Sequence, residues 1–181
     1  MTSSRPWPDE QAVTRILGID PGSLSTGYGI IDSEGQTLKY VECGNIRSGG
    51  GSFLSRLQEI YFGIDAVVQR FQPDEVAVER TFMHKNADSA LKLGHARAAA
   101  ICGTLVKHLP LHEYSPREVK QAVVGKGSAD KEQVQHMMRV LLGLKGGLQA
   151  DSADALAVAV CHAHSRGLKA ELKSLLRGAR R

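Results

Sequence analysis

Two hydrophobic periods alternate along the chain. Arg15-Ile16-Leu17-Gly18-Ile19-Asp20 is a short apolar run of strand type, and Pro21-Gly22 stops it. Strand chemistry resumes from Thr26 to Ile31, Asp32-Ser33-Glu34-Gly35 predicts a turn, and a third strand fits Thr37 to Ile46. This is the signature of an antiparallel meander. After a glycine-rich loop from Ser48 to Ser52, the period changes. Leu54, Leu57, Ile60, Ile64, Val67 and Val68 fall at helical spacing within Phe53 to Phe71, and Pro73 ends that helix. Glu75-Val76-Ala77-Val78-Glu79 is again a strand, with a carboxylate at its end.

The second half is mostly helical. Asn86 to Lys107 reads as a long alanine-rich helix, and Leu111 to Tyr114 as a short strand. Ser115-Pro116-Arg117-Glu118 is a capping box with proline at the first helical position, and its helix runs to about Gly125. A loop from Gly125 to Ser128 leads into a helix from Asp130 to Leu142. A further loop, Gly143 to Gln149, precedes a last helix from Asp151 to Arg166, which Gly167 is expected to close. The order predicts an α/β domain with one mixed five-stranded sheet flanked by helices. We expect residues 1–14 to be a polar extension without a signal sequence, 15–166 the folded domain, and 167–181 a basic tail, read as a disordered arm rather than a short amphipathic helix. A chain of 181 residues fits one such domain, and its longest apolar run, Ala155 to Cys161, is far short of the ~20 residues of a membrane span.

Candidate chemistry lies where these elements end. Asp20 closes the first strand and Glu79 the fourth. Asp151 and Asp154, three apart, share one face of the last helix. Each has a plain structural reading, as a turn residue, a solvated strand end or a helix cap. Together they mean more. Ala150, Ala153, Ala155, Leu156, Ala157 and Val158 make the surroundings of Asp154 a packed face, and two wholly apolar strands belong in the centre of a sheet with their ends close together. Two carboxylates 4 Å apart repel by about 4 kcal/mol at an effective dielectric of 20, so such a cluster calls for protons or cations. Oxygen-only donors suit hard cations, Mg2+ or Mn2+, rather than zinc. A pair of such ions is the usual device for in-line phosphoryl displacement, which makes phosphodiester hydrolysis the predicted reaction class.

Several motifs now fall into one series: Gly18-Ile19-Asp20-Pro21-Gly22, Thr26-Gly27-Tyr28-Gly29, Val78-Glu79 with Phe82-Met83, Asn86 to Gly94, and Gln149-Ala150-Asp151-Ser152-Ala153-Asp154-Ala155-Leu156-Ala157. In this order, from about Arg15 to His164, the chain resembles the RuvC-type Holliday junction resolvases. The resemblance implies an RNase H-like fold and an endodeoxyribonuclease that resolves four-way DNA junctions by paired symmetric nicks, leaving 5′-phosphate and 3′-hydroxyl ends. It puts the catalytic, metal-binding acids on Asp20, Glu79, Asp151 and Asp154, with Mg2+ as cofactor, two ions per subunit, and Mn2+ as a substitute. It puts DNA-binding roles on Lys120, Lys131 and Phe82. It also implies a homodimer and work alongside RuvA and RuvB, while a cytoplasmic location is expected from the three dispersed cysteines, which fit a reducing compartment.

Charge sharpens this picture. The net charge is +4, but six basic residues and one acid after His164 place +5 in the tail, leaving the body at −1. Without the four site acids the rest of the body is +3, a mildly basic surface around an acidic pit. Lys120 and Lys131 flank the Gly125 to Ser128 loop, which is expected to lie against a phosphate, whereas Arg139 and Lys145 read as solvated. Gly94, Ala98, Ala99 and Gly103 give the long helix a small-residue stripe suited to a second helix, in the same chain or a second subunit. Three dispersed cysteines with no C-x-x-C pair argue against a disulfide framework, and the seven histidines read as incidental. Among rival classes, an actin-like or hexokinase-like phosphotransferase needs a second lobe that this length excludes. An RNase H-like nuclease for another nucleic acid and a non-catalytic DNA-binding module remain. The module would gain nothing from four clustered acids.

Overall fold

The computed structural model of the protein describes residues 13–80 and 86–178. In chain order its elements are β1 (Thr14–Asp20), β2 (Ser25–Glu34), β3 (Thr37–Arg47), α1 (Phe53–Phe71), β4 (Glu75–Glu79), α2 (Ala87–Leu105), β5 (Leu111–Tyr114), α3 (Pro116–Val124), α4 (Lys131–Leu141) and α5 (Ala150–Gly178). The sheet order is β3-β2-β1-β4-β5. The meander pairs antiparallel, while β4 and β5 run parallel to β1, so the sheet is mixed as expected.

Strand pleat sorts the sequence into two cores. Leu17, Ile19, Ile30, Val76 and Val78 point to one face, where they meet Ile60, Ile64 and Val68 of α1 and Ala96 and Ala100 of α2. Ile16, Ile31, Ala77 and Tyr114 point to the other, against α3, α4 and the apolar run of α5. Side chains alternate along a strand, so Gly18 and Asp20 share the face of Ile16, and Glu79 shares the face of Ala77. The same parity puts Ser25, Gly27 and Gly29 on the α5 face of β2.

That face is stripped of side chains where α5 crosses it. Gly18 of β1 lies opposite Gly29 of β2 in the register. A Cβ at Gly18 would sit 2.1 Å from the Ala155 carbonyl oxygen, and one at Gly29 would sit 2.7 Å from the Leu156 amide nitrogen. At Gly27 it would sit 2.1 Å from the Asp151 carbonyl oxygen. The helix therefore packs with its backbone against the sheet.

Two expectations are corrected. The turn assigned to Asp32-Ser33-Glu34-Gly35 is tighter: β2 runs on to Glu34 and the hairpin closes through Gly35 and Gln36, with Gly35 at φ 57°. The polar residues stay in the strand because the ladder uses them. Asp32 pairs with Arg15 directly across it, Oδ1 to Nε at 2.8 Å, and Ser33 is buried opposite Leu38. The second correction is at the C-terminus. Gly167 does not close the last helix: α5 continues for 29 residues to Gly178, so the segment after Arg166 is helical rather than a disordered arm. A glycine inside a helix costs only about 1 kcal/mol relative to alanine, and Gly167 does not take the left-handed conformation of a helix stop. No break separates 15–166 from 167–178.

Gly18→Ala is expected to lower stability by about 3 kcal/mol or more, because the contact is with helix backbone that cannot yield. Gly50→Ala, in open space, is expected to change it by less than about 0.5 kcal/mol. Denaturant unfolding of the two variants checks the pair.

Candidate active site

Parity and register bring the first two acids together. Ile19 pairs with Val78, so Asp20 and Glu79 are the next residues on adjacent parallel strands, both facing α5. Asp151 lies in the first turn of α5 and Asp154 one turn on, above those strand ends. All four predicted acids thus converge, each only partly exposed.

The ionisation of Asp20, Glu79 and Asp154 reflects burial and the repulsion of neighbouring acids. The Asp20 carboxyl is pushed up to about 8, first by burial and then by the charges of Glu79, Asp154 and Asp151. Glu79 is raised by burial and by Asp154, and a hydrogen bond from the Asp20 carboxyl, together with Lys131 and Lys120, opposes the rise. Asp154 is raised mainly by burial, against the pull of Lys131. The acids crowd more negative charge than their neighbours neutralise.

The predicted basic residues divide. Lys131 is the first residue of α4, behind the N-cap Asp130 and its capping box with Gln133. Its ammonium lies 3.4 Å from Asp154 Oδ2, which holds its pKa up. Lys120, on α3, is near enough for its charge to act on Glu79 and Asp154. The loop between them is less open to a phosphate than expected, because the Gly127 amide already donates to Gln121 Oε1 at 3.2 Å. Arg139 and Lys145 are exposed, as expected. Phe82 lies outside the described residues.

Sequence reasoning missed three features. Ser25 Oγ donates to Asp151 Oδ2 at 2.6 Å. Arg97 Nε donates to the Glu79 carbonyl at 3.3 Å while its guanidinium pairs with Glu113. The third corrects the reading of the histidines as incidental. His162 is buried, with Tyr114 Oη 2.7 Å from Nδ1 and Glu75 Oε2 2.5 Å from Nε2. Burial lowers its pKa, which favours the neutral ring. His112 stacks on it, with ring centroids 4.3 Å apart at 27°, and Arg166 Nε lies 3.0 Å from Glu75 Oε1. Ligand atoms of Glu75, His112 and His162 lie within 4.8 Å of one another. However, nearly parallel stacked rings aim their in-plane lone pairs side by side instead of at one point, and Arg166 already neutralises the carboxylate. The group is a clasp tying α5 to β4 and β5. Only the fold reveals it, since the three elements are remote in sequence.

The acid cluster sets a pH dependence. An unfolded aspartate titrates near 3.9. Between that value and about 8 the folded chain holds a proton on Asp20 that the unfolded chain lacks. In EDTA this contribution is therefore full below about pH 4 and falls as the pH rises towards 8, by at most about 1.4 kcal/mol per pH unit for one proton. Asp20→Asn should flatten this fall, and denaturant unfolding between pH 5 and 8 checks it.

The comparisons with known proteins agree with one another. The family model for the crossover junction endodeoxyribonuclease RuvC matches residues 16–162. A Methylococcus capsulatus protein of that name is 54% identical over 165 residues, 91% of this chain and 99% of its own length. One from Xanthomonas campestris pv. campestris is 55% identical over 156 residues, 85% of this chain and 90% of its own. Among solved structures, T. thermophilus RuvC in complex with a Holliday junction substrate superposes with a TM-score of 0.81 at 32% identity, covering 86% of this chain and 96% of that one. The yeast mitochondrial Holliday junction resolvase shares the fold, with a TM-score of 0.62 at 13% identity over 83% of this chain and 78% of its own. With the family model spanning most of the chain and relatives above 50% identity covering nearly all of it, this protein belongs to the RuvC family of crossover junction endodeoxyribonucleases.

Proposed function

We propose that the chain resolves Holliday junctions by paired symmetric nicks in two strands of like polarity, leaving 5′-phosphate and 3′-hydroxyl ends. The observation that carries this reading is the convergence of Asp20, Glu79, Asp151 and Asp154 at one end of the sheet, where burial and the neighbouring acids keep a proton on Asp20.

The donor set fits hard divalent cations: it offers only carboxylate oxygens, and burial, with repulsion among the acids, raises the pKa of Asp20, Glu79 and Asp154. Asp20, Glu79, Asp151 and Asp154 would hold Mg2+, two ions per subunit with Mn2+ as a substitute, supplying the Lewis acidity that activates a water and stabilises the leaving oxygen. The chain's own residues do the rest. Asp20 holds a proton directed at Glu79, which a bound cation would replace. The ammonium of Lys131, 72% exposed beside Asp154, is free to turn to a backbone phosphate at the mouth of the site. Lys120 adds positive charge on the same side, and Phe82 engages the junction centre.

A junction with two equivalent strands to cut suits a two-fold dimer. The small-residue stripe of α2 divides between two neighbours. Gly103 faces α1, where a Cβ would meet the Tyr61 carbonyl oxygen at 2.7 Å. Gly94 and Ala98 face outward, in line with Leu91 and Leu105, which are 63% and 51% exposed. That outward face is the proposed homodimer contact. Work with RuvA and RuvB and a cytoplasmic location complete the reading. Among the described residues no helix is long and apolar enough to cross a membrane.

The deciding assay offers a four-way junction, a linear duplex and an RNA–DNA hybrid, each with Mg2+ or EDTA. Paired nicks should appear in the junction alone and vanish with EDTA. Asp20→Asn should cut at least about a hundredfold more slowly, yet still bind the junction. Cleavage of the hybrid would favour another RNase H-like nuclease. Lys131→Ala should weaken junction binding and flatten its salt dependence, by about 0.9 in log–log slope for a duplex phosphate contact. In sedimentation, Ala98→Glu should turn dimer to monomer while the wild type stays dimeric.

A further inference from the structure

Of the four site acids, Asp151 is held in the most unusual way, from both ends by one strand. Gly27 of β2 admits its backbone, since any Cβ there would sit 2.1 Å from the Asp151 carbonyl oxygen. Two residues earlier on the same face, Ser25 Oγ donates to Asp151 Oδ2 at 2.6 Å. Ser25 is itself fixed. It begins β2 opposite Arg47, and the turn before it is tied by Thr26 Oγ1, which donates to the Gly22 carbonyl at 3.0 Å. Gly22 presses on that turn so closely that a Cβ would sit 2.1 Å from the Ser25 carbonyl oxygen. The start of α5 is held from β3 as well: Asn45 Nδ2 donates to Gln149 Oε1 at 2.9 Å, and Ser152 Oγ donates to Asn45 Oδ1 at 2.5 Å.

From this geometry we infer that Ser25 is a positioning residue for cation binding, fixing the Asp151 carboxylate by its hydroxyl without neutralising it. The inference rests on the reading of the four acids as the cation site. The contrast with Asp154 supports it. Asp154 is paired with a lysine ammonium, which neutralises charge and must move aside for a cation. Ser25 is a neutral donor that uses one lone pair of one oxygen. The full charge and the remaining lone pairs stay available, and the carboxylate is held in one rotamer before the ion arrives. Outer partners of this kind typically set metal affinity by 10–100-fold.

The test is Mn2+ binding to full-length protein, followed by electron paramagnetic resonance of the free ion, for wild type, Ser25→Ala and Ser25→Thr. Ser25→Ala should bind Mn2+ at least about tenfold more weakly, while Ser25→Thr, which keeps the hydroxyl, stays near wild type. Junction cleavage by Ser25→Ala should recover at saturating metal, with a higher metal requirement and a little-changed maximal rate. Thermal unfolding in EDTA should be close to wild type for both, which separates a positioning role from a purely structural one. Equal Mn2+ affinity in wild type and Ser25→Ala would overturn the role of Ser25 while leaving the cation site standing. Failure of the wild type to bind Mn2+ would overturn both.

Discussion

The arrangement of this protein depends on how closely one helix lies on one sheet. α5 rests its backbone on β1 and β2 at Gly18, Gly27 and Gly29, where even a methyl group would overlap helix atoms. A helix riding on ordinary side chains would stand farther off and carry Asp151 and Asp154 away from Asp20 and Glu79. The glycines are therefore part of the site without touching any reactant. They also account for the glycine-rich form of the first two motifs on packing grounds alone: Gly18 and Gly29 are cross-strand neighbours beneath the same helical turn.

Packing this tight makes the acid cluster costly. Burial is the first cause of the raised pKa at Asp20, Glu79 and Asp154, ahead of the acids' mutual repulsion. The surrounding structure offsets this only in part, with Lys131 on Asp154 and Lys120 at longer range. Farther along α5 the same face carries a polar group with its partners complete, where His162 meets Tyr114 and Glu75, with Arg166 on the second Glu75 oxygen. One helix thus has a satisfied buried clasp at one end and an unsatisfied acidic pit at the other. The clasp anchors the helix, and the pit keeps its charge only partly offset.

Much of this was legible along the chain because it is encoded locally. Period and punctuation gave α1 from Phe53 to Phe71 and β4 from Glu75 to Glu79 with the bounds the structure shows. The capping box at Ser115 marked the start of α3, and the helix read from Asp130 begins there, with Asp130 as the N-cap of α4. What escaped depends on partners far away. Asp32 and Ser33 read as turn residues until Arg15 and Leu38 are seen across the ladder. Gly167 reads as a helix stop because glycine favours the left-handed cap, yet the chain did not use that conformation. His162 looked incidental since Glu75, His112 and Tyr114 come from strands well before it.

By itself the sequence determined which acids come under suspicion: carboxylates stand at the ends of apolar strands and at the head of an alanine-rich helix, and charge repulsion requires that such a cluster be compensated. Only the tertiary structure decided how those residues are held. Pleat parity placed Asp20 and Glu79 on the face that α5 covers. Register set them side by side, and absent Cβ atoms let the helix reach them. Ser25 and Asp151, 126 residues apart, meet through that approach and nothing nearer in the chain. Ionisable character belongs to a side chain wherever it sits, whereas orientation and burial belong to the contacts around it, and those exist only once distant segments have packed.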